Sequence, residues 1–212
     1  PANKQGRIAA DNICGGNSRF TGSQGSSVLK LFGLTAASTG INEKAAQAAG
    51  ITYDKVVLFP ASHATYYPGA QSMAMKVLYE KESLRLLGAQ LVGGDGVDKR
   101  IDVLATAIRA KMTALELTEL DLSYAPPYSS AKDPVNMAGF MIEDLESEKV
   151  RQFHWNEVED LPCDGSATLL DVRTAWEYQR GHLDGFRNIP LDDLREHLDE
   201  LDRGKPVYVN CQ

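Results

Sequence analysis

Apolar residues recur along this chain in two rhythms, every second position and every third or fourth, and the switches between them lay out its elements. In NKQGRIAADNI, Ile8, Ala9 and Ile13 fall at helical spacing, and Gly15-Gly16 supply a stop. SSVLKLFGLTAASTG reads as one or two strands. INEKAAQAAG reads as a short helix capped by Asn42 and followed by Gly50, and KVVLFP as a buried strand closed by Pro60. MAMKVLYEKESLRLLGAQLVGG predicts a hairpin of two strands around a polar EKES turn. In VDKRIDVLATAIRAKM, Val97, Ile101, Leu104, Ala105, Ile108 and Met112 share one helix face. Pro126-Pro127 predict an extended segment, and Asp133-Pro134 give the cap and first residue of a helix over PVNMAGFMIEDLES.

Past the polar stretch ESEKVRQ the pattern changes, which predicts a boundary within residues 146–156 and two parts, 1–149 and 150–212. ATLLDVR predicts a strand, TAWEYQRG a short helix, and FRNIP a short strand and turn. LDDLREHLDEL predicts an amphipathic helix and PVYVN a last buried strand. Strands alternating with short helices imply a parallel α/β sheet in this second part.

Charge sharpens the division. The net charge of −7 sits almost wholly in residues 150–212, where 13 Asp and Glu face 7 Lys and Arg. Such a surface argues against nucleic acid or an anionic membrane as partner. No apolar run approaches the roughly 18 residues of a membrane span. Cys14, Cys163 and Cys211 show no CxxC spacing and no disulfide framework, which fits a reducing cytoplasm. His63, His154, His182 and His197 show no metal-ligand spacing, so no metal site is expected. The chain opens without Met on what reads as the middle of a helix and closes one residue past Cys211, so continuation at both ends is expected.

Cys211 stands at the C-terminal end of the last predicted strand, where parallel sheets place function. Backbone N–H groups of a following loop can stabilise a thiolate there; the alternative is a buried apolar thiol. The stretch LLDVRTAWEYQRGHLDGFRNIP decides which comparison to make. Its Asp171-Val172-Arg173, Glu177, Gly181-His182, Gly185 and Asn188-Ile189-Pro190 resemble the rhodanese family of sulfurtransferases. The resemblance implies that Cys211 carries sulfane sulfur as a persulfide, with Asp171, Arg173 and His182 as motif residues. Asp171 and Arg173 are then structural or rim residues, a fold-stabilising ion pair being an open alternative to catalysis. The family's active loop would follow Gln212, so a loosely packed C-terminal segment is expected in a chain of this length.

A second resemblance covers residues 1 to about 145. It rests on PANKQGRIAADNI, STGINEKAAQAAGI and LSYAPPYSSAKDPVN, which look like the C-terminal dimerisation domain of FAD-dependent pyridine nucleotide–disulfide reductases. The subgroup is that of coenzyme A disulfide reductases, NADH oxidases and persulfide reductases. The resemblance implies an α+β fold: a dimerisation domain with a mainly antiparallel sheet and helices, then an incomplete rhodanese-like α/β domain. It implies a homodimer and a small-molecule disulfide or persulfide substrate. The cofactors of the parent enzyme would be FAD and NAD(P)H, with coenzyme A as a further ligand. In residues 1–16, the flavin-facing helix, Pro1, Ala2 and Asn3 would point the positive helix end at the flavin edge. HATYYPG offers Tyr66 and Tyr67, and SYAPPY offers Tyr124 and Tyr128. From these two stretches phenols would reach the partner's redox cysteine and hydrogen-bond or protonate a thiolate; the plain alternative is that they cover a loop.

Other features read as structural. GGDGVDKR lacks GxGxxG and GK[ST], so its glycines turn the chain into the long helix. Lys99 and Arg100 in that helix's first turn read as solvated surface, with contact to a coenzyme A phosphate as the sharper alternative. Cys14 reads as core or interface packing and Cys163 as an incidental exposed thiol. No dinucleotide fingerprint occurs, so this chain is not expected to hold FAD or move hydride alone. A free-standing sulfurtransferase and a non-catalytic dimerisation module are the alternative functions.

Overall fold

The strongest alternation in the sequence becomes the centre of a sheet. The computed structural model describes residues 1–211; Gln212 lies outside the described residues. It forms two compact units, Pro1–Arg151 and the residues from Gln152 onward. In the first, strands β1 (Ser27–Leu31), β2 (Leu34–Gly40), β3 (Tyr53–Leu58), β4 (Met73–Glu80) and β5 (Leu86–Gly93) make one antiparallel sheet. Their order is β1-β2-β5-β4-β3. Met75 and Val77 of β4 pair with Leu91 and Ala89 of β5, and all four are buried. Where β2 leaves the sheet, Gly40 has φ +68°, and a Cβ there would meet the Leu87 carbonyl oxygen at 2.2 Å. A side chain would thus be both strained and crowded at this crossing.

Four helices accompany this sheet: α1 (Ala2–Ile13), α2 (Glu43–Ala48), α3 (Val97–Ala110) and α4 (Pro134–Glu146). Asn42 caps α2 by accepting from the Ala45 N–H at 2.9 Å, and Asp133 caps α4 by accepting from the Val135 N–H at 3.0 Å. Ile101 and Leu104 of α3 and Val135, Ala138 and Ile142 of α4 share one core with Met75, Val77 and Leu91. On the opposite sheet face α2 lies over β3 and β4 through Glu43, Lys55 and Lys76, while the part formed by β1, β2 and β5 is exposed. There Leu29 pairs with Ala36, Leu31 with Leu34, and Ala36 with Val92. Leu29, Leu31, Leu34 and Val92 are 62, 58, 54 and 46 % exposed.

In the second unit β6 (Thr168–Asp171), α5 (Ala175–Arg180), β7 (Arg187–Asn188) and β8 (Val207–Asn210) build a parallel sheet of order β7-β6-β8. Thr174 caps α5 and pairs reciprocally with Glu177. Leu170, Val172 and Ile189 form its small core, with Leu194 and Leu201 packed against it.

Several expectations need correction. Leu194–Glu200, read as an amphipathic α-helix, is a 3₁₀ segment. Pro126-Pro127 lie in a turn, with the Tyr128 and Ser129 N–H groups both donating to the Ala125 carbonyl. The last strand is not buried: Val207 and Val209 are exposed. β8 pairs with β6 over four residues in register. Cys14 is exposed at the end of α1 rather than in a core. Arg100, read as solvated, is buried.

Candidate functional site

The loop that follows β3 and the loop that precedes α4 carry the tyrosines, and the fold brings them together. Tyr66 Oη and Tyr124 Oη lie 3.3 Å apart, close enough to share a proton. Tyr66 is 76 % and Tyr124 48 % exposed, so both phenols face outward as a pair. The hydrogen bond with Tyr66 holds the Tyr124 phenol above its ordinary pKa, desolvation adding a smaller push. The other two tyrosines do not join the pair in this way. Tyr67 meets His63 edge-on at 5.8 Å, and its N–H donates to the Ala64 carbonyl. Tyr128 is exposed, and its carbonyl accepts a hydrogen bond from Arg100.

Arg100 is the residue that sequence reasoning missed. Its side chain is buried between the two loops and the starts of α3 and α4. Nη2 donates to Asp133 Oδ2 at 3.0 Å, Ser62 O at 2.9 Å, Tyr128 O at 3.2 Å and Ser129 Oγ at 3.3 Å. Nη1 donates to Gly96 O at 3.2 Å and Nε to Asp133 Oδ1 at 3.4 Å. Burial alone would raise the Asp133 pKa, but the Val135 N–H, the Ser129 hydroxyl and Arg100 outweigh it and hold the carboxyl below the usual range. Lys99 stands 3.8 Å from Asp133 Oδ2, half-buried, so neither basic residue of this turn is plain solvated surface.

The second unit assembles around the C-terminal ends of its strands. Asp171 is fully buried, and its carboxylate accepts from the Arg173 backbone N–H at 2.9 Å and from Arg173 Nη2 at 2.6 Å. Burial raises the Asp171 pKa, yet the hydrogen bonds from Arg173 and Asn210 bring it below the usual carboxylate range. The Arg173 guanidinium is held above its ordinary value chiefly by its hydrogen bonds to Asp171, with a smaller push from the Glu177 carboxylate. Asn210 Nδ2 reaches Asp171 Oδ2 at 3.3 Å, and the Val172 N–H donates to Asn210 O. Asp171 and Arg173 thus brace the residue that delivers Cys211, whose thiol is exposed at the strand end. His182 is placed differently: its ring stacks on Tyr178 at 3.8 Å, and Nδ1 lies 3.0 Å from the Tyr178 carbonyl. Cys163 is an exposed thiol 3.6 Å from Leu161 O.

Pro1, Ala2 and Asn3 open α1, where the first-turn N–H groups point out of the helix. All three are exposed, and no acidic side chain neutralises that end. Among the described residues, no cluster of three or more His, Cys, Asp or Glu is placed to hold a metal ion, and no helix is long and apolar enough to cross a membrane.

Comparison with known proteins gives these sites a setting. Residues 27–134 match the pyridine nucleotide-disulphide oxidoreductase dimerisation domain. The chain belongs to this family. Residues 154–212 of this oxidoreductase-family chain also match the rhodanese-like domain. It is 41% identical over 145 residues to the coenzyme A disulfide reductase of Staphylococcus haemolyticus, an alignment covering 68% of this chain and 32% of that protein. The structure of reduced Bacillus anthracis CoADR-RHD superposes with a TM-score of 0.91 at 47% identity, covering 100% of this chain and 38% of that one. An NAD-dependent persulfide reductase from A. fulgidus superposes with a TM-score of 0.89 at 41% identity, covering 99% and 38%. The oxidoreductase-family chain thus spans about a third of the length of the relatives it matches. Its mixed fold, a mainly antiparallel sheet with helices followed by a rhodanese-like part, is that expected from the two resemblances.

Proposed function

We propose that this chain is the C-terminal portion of an FAD- and NAD(P)H-dependent reductase of coenzyme A disulfide or a persulfide. Residues 1–149 supply the dimerisation domain and residues 150–212 the N-terminal part of a rhodanese-like domain. The observation that carries the reading is the exposed, hydrogen-bonded pair Tyr66–Tyr124 on a dimerisation fold. Two phenols presented outward at 3.3 Å suit a site completed by a second chain. The uncovered apolar face at Leu29, Leu31, Leu34 and Val92 supports association into a homodimer. Bound FAD would supply the two-electron link between NAD(P)H and a redox cysteine outside this chain. The outward N–H groups of Ala2 and Asn3, at the end of α1 that Pro1 opens, suit one edge of such a group, a fit supported by the absence of acid in the first turn.

The chemistry assigned to this chain is proton handling. A cysteine thiolate attacking coenzyme A disulfide forms a mixed disulfide and breaks the S–S bond, expelling one coenzyme A thiolate. The Tyr66–Tyr124 pair donates the proton that this thiolate takes up, with Tyr67 and Tyr128 as neighbours in the same loops. In the second unit the Cys211 thiolate, braced through Asn210 by Asp171 and Arg173, attacks the outer sulfur of a persulfide or thiosulfate; that donor's S–S bond breaks, its thiolate or sulfite leaves, and the sulfur stays on Cys211 as a persulfide. Free thiols at Cys14, Cys163 and Cys211 fit a reducing compartment, which we propose is the cytoplasm.

The test is rapid-mixing kinetics on the full-length enzyme. Tyr66→Phe and Tyr124→Phe are expected to slow reoxidation by the disulfide substrate by on the order of a hundredfold. Flavin reduction by NAD(P)H should be unchanged. Equal losses in both half-reactions would assign the phenols a structural role instead.

A further inference from the structure

We propose that Arg100 is the positioning residue of the tyrosine pair: its guanidinium locks the two tyrosine-bearing loops to each other, so that Tyr66 and Tyr124 act as one unit. The inference rests on the reading of those phenols given above.

The two loops are cross-linked at three levels. At the base, one nitrogen of Arg100 donates to Ser62 O in the first loop and to Tyr128 O in the second. One step outward, the Ala64 N–H donates to Ser129 O at 3.2 Å. At the tip stand the two phenols, 3.3 Å apart. The base is itself anchored: Nη1 grips Gly96 O at the start of α3, and Asp133, the cap of α4, receives both the guanidinium and the Ser129 hydroxyl at 2.8 Å. One side chain therefore ties two loops to the N-terminal ends of two helices.

A buried ion pair made only for stability would not need this arrangement. Replacing such a pair by packed apolar groups is often neutral. Here three of the acceptors are main-chain carbonyls of segments far apart in sequence, at residues 62, 96 and 128. A planar fork with five donors can serve them at once, whereas a lysine ammonium offers three donors from a single atom. Because misplacement of about 1 Å can cost two orders of magnitude in rate, the lock controls the reaction without touching the substrate.

The experiment uses the full-length, flavin-loaded enzyme carrying Arg100→Lys. Its substrate is coenzyme A disulfide or coenzyme A persulfide, whichever the parent turns over faster. Flavin reduction by NAD(P)H should be unchanged, and the substrate half-reaction should slow roughly tenfold to a hundredfold. Hydrogen–deuterium exchange should rise in peptides spanning residues 62–67 and 124–129. Added to Tyr66→Phe/Tyr124→Phe, Arg100→Lys should cost nothing further, as for residues that act as a unit. Losses that multiply, or exchange that stays unchanged in both loops, would overturn the lock. A Tyr66→Phe/Tyr124→Phe enzyme with an intact substrate half-reaction would overturn the reading of the phenols instead. If Arg100→Lys fails to load flavin, Ser129→Ala, which removes one Arg100 acceptor and one Asp133 donor, should give the same pattern at smaller amplitude; no change there overturns the lock.

Discussion

Arg100 follows Val97 by three residues and precedes Leu104 by four, so it lies within the stripe that α3 turns to the core. The spacing was present in the sequence, but a basic residue in a helix's first turn reads as solvated until its counter-charge is known. That counter-charge is Asp133, 33 residues away, whose visible duty was to cap α4. Glu43 is a simpler case. It accepts from Lys55 at 2.6 Å and Lys76 at 2.8 Å, tying α2 to β3 and β4. Partial burial raises its pKa, but the two ammonium groups prevail and bring it down to about 2. Because the folded value lies below the unfolded one of about 4.3, this contribution is complete above about pH 4.3 and is lost as pH falls towards about 2. Screening by solvent limits it to about 1 kcal/mol. Glu43→Gln should therefore lower Tm at pH 7, and the gap from the parent should close between about pH 4 and pH 2 in thermal melts. A gap that persists at low pH would assign the effect to packing.

Elements were legible where one rhythm ran unbroken. β4 and β5 follow from period-two alternation around EKES, and α4 from Asp133-Pro134 at its start. The misses have a common physical cause, the lack of a partner surface that would reward the regular element. Leu194 and Leu201 reach the small core of Leu170, Val172 and Ile189, but Leu198 between them remains exposed, and the segment settles into 3₁₀ turns. β8 is half-exposed for a similar reason, since its described pairing is with β6 alone. That strand still delivers Cys211 from a braced end. In the full-length protein, Cys211→Ala is expected to abolish sulfur transfer from thiosulfate to cyanide, in which Cys211 takes the outer sulfur, sulfite leaves and cyanide carries the sulfur away as thiocyanate. Asp171→Asn should reduce it by roughly tenfold, because Asn210 and Arg173 lose the carboxylate that fixes the strand end. Transfer retained in Cys211→Ala would leave this cysteine a bystander.

At the scale of the whole molecule the question is which surface the proposed homodimer would use. Residue patterns alone could not answer it, because a half-buried strand and an interface strand share the same alternation. The register does discriminate. It lines up Leu29, Leu31, Leu34 and Val92 on the sheet face opposite α3 and α4, across three adjacent strands. A contiguous apolar patch of this kind marks an interaction site more often than a free surface. A stable dimer needs about 800 Å² from each partner, which four exposed branched side chains and their neighbours on β1, β2 and β5 can seed. We therefore expect Leu29→Lys/Leu34→Lys to convert the protein to a monomer in sedimentation at tens of micromolar, roughly the range in which a standard interface holds. The same variant should keep its flavin reduction by NAD(P)H and lose the substrate half-reaction, because each Tyr66–Tyr124 pair would then face solvent instead of a partner's cysteine. A variant that stays dimeric with full activity would move the interface to another surface of the unit. A monomer with an intact substrate half-reaction would instead place the phenols in their own subunit's site.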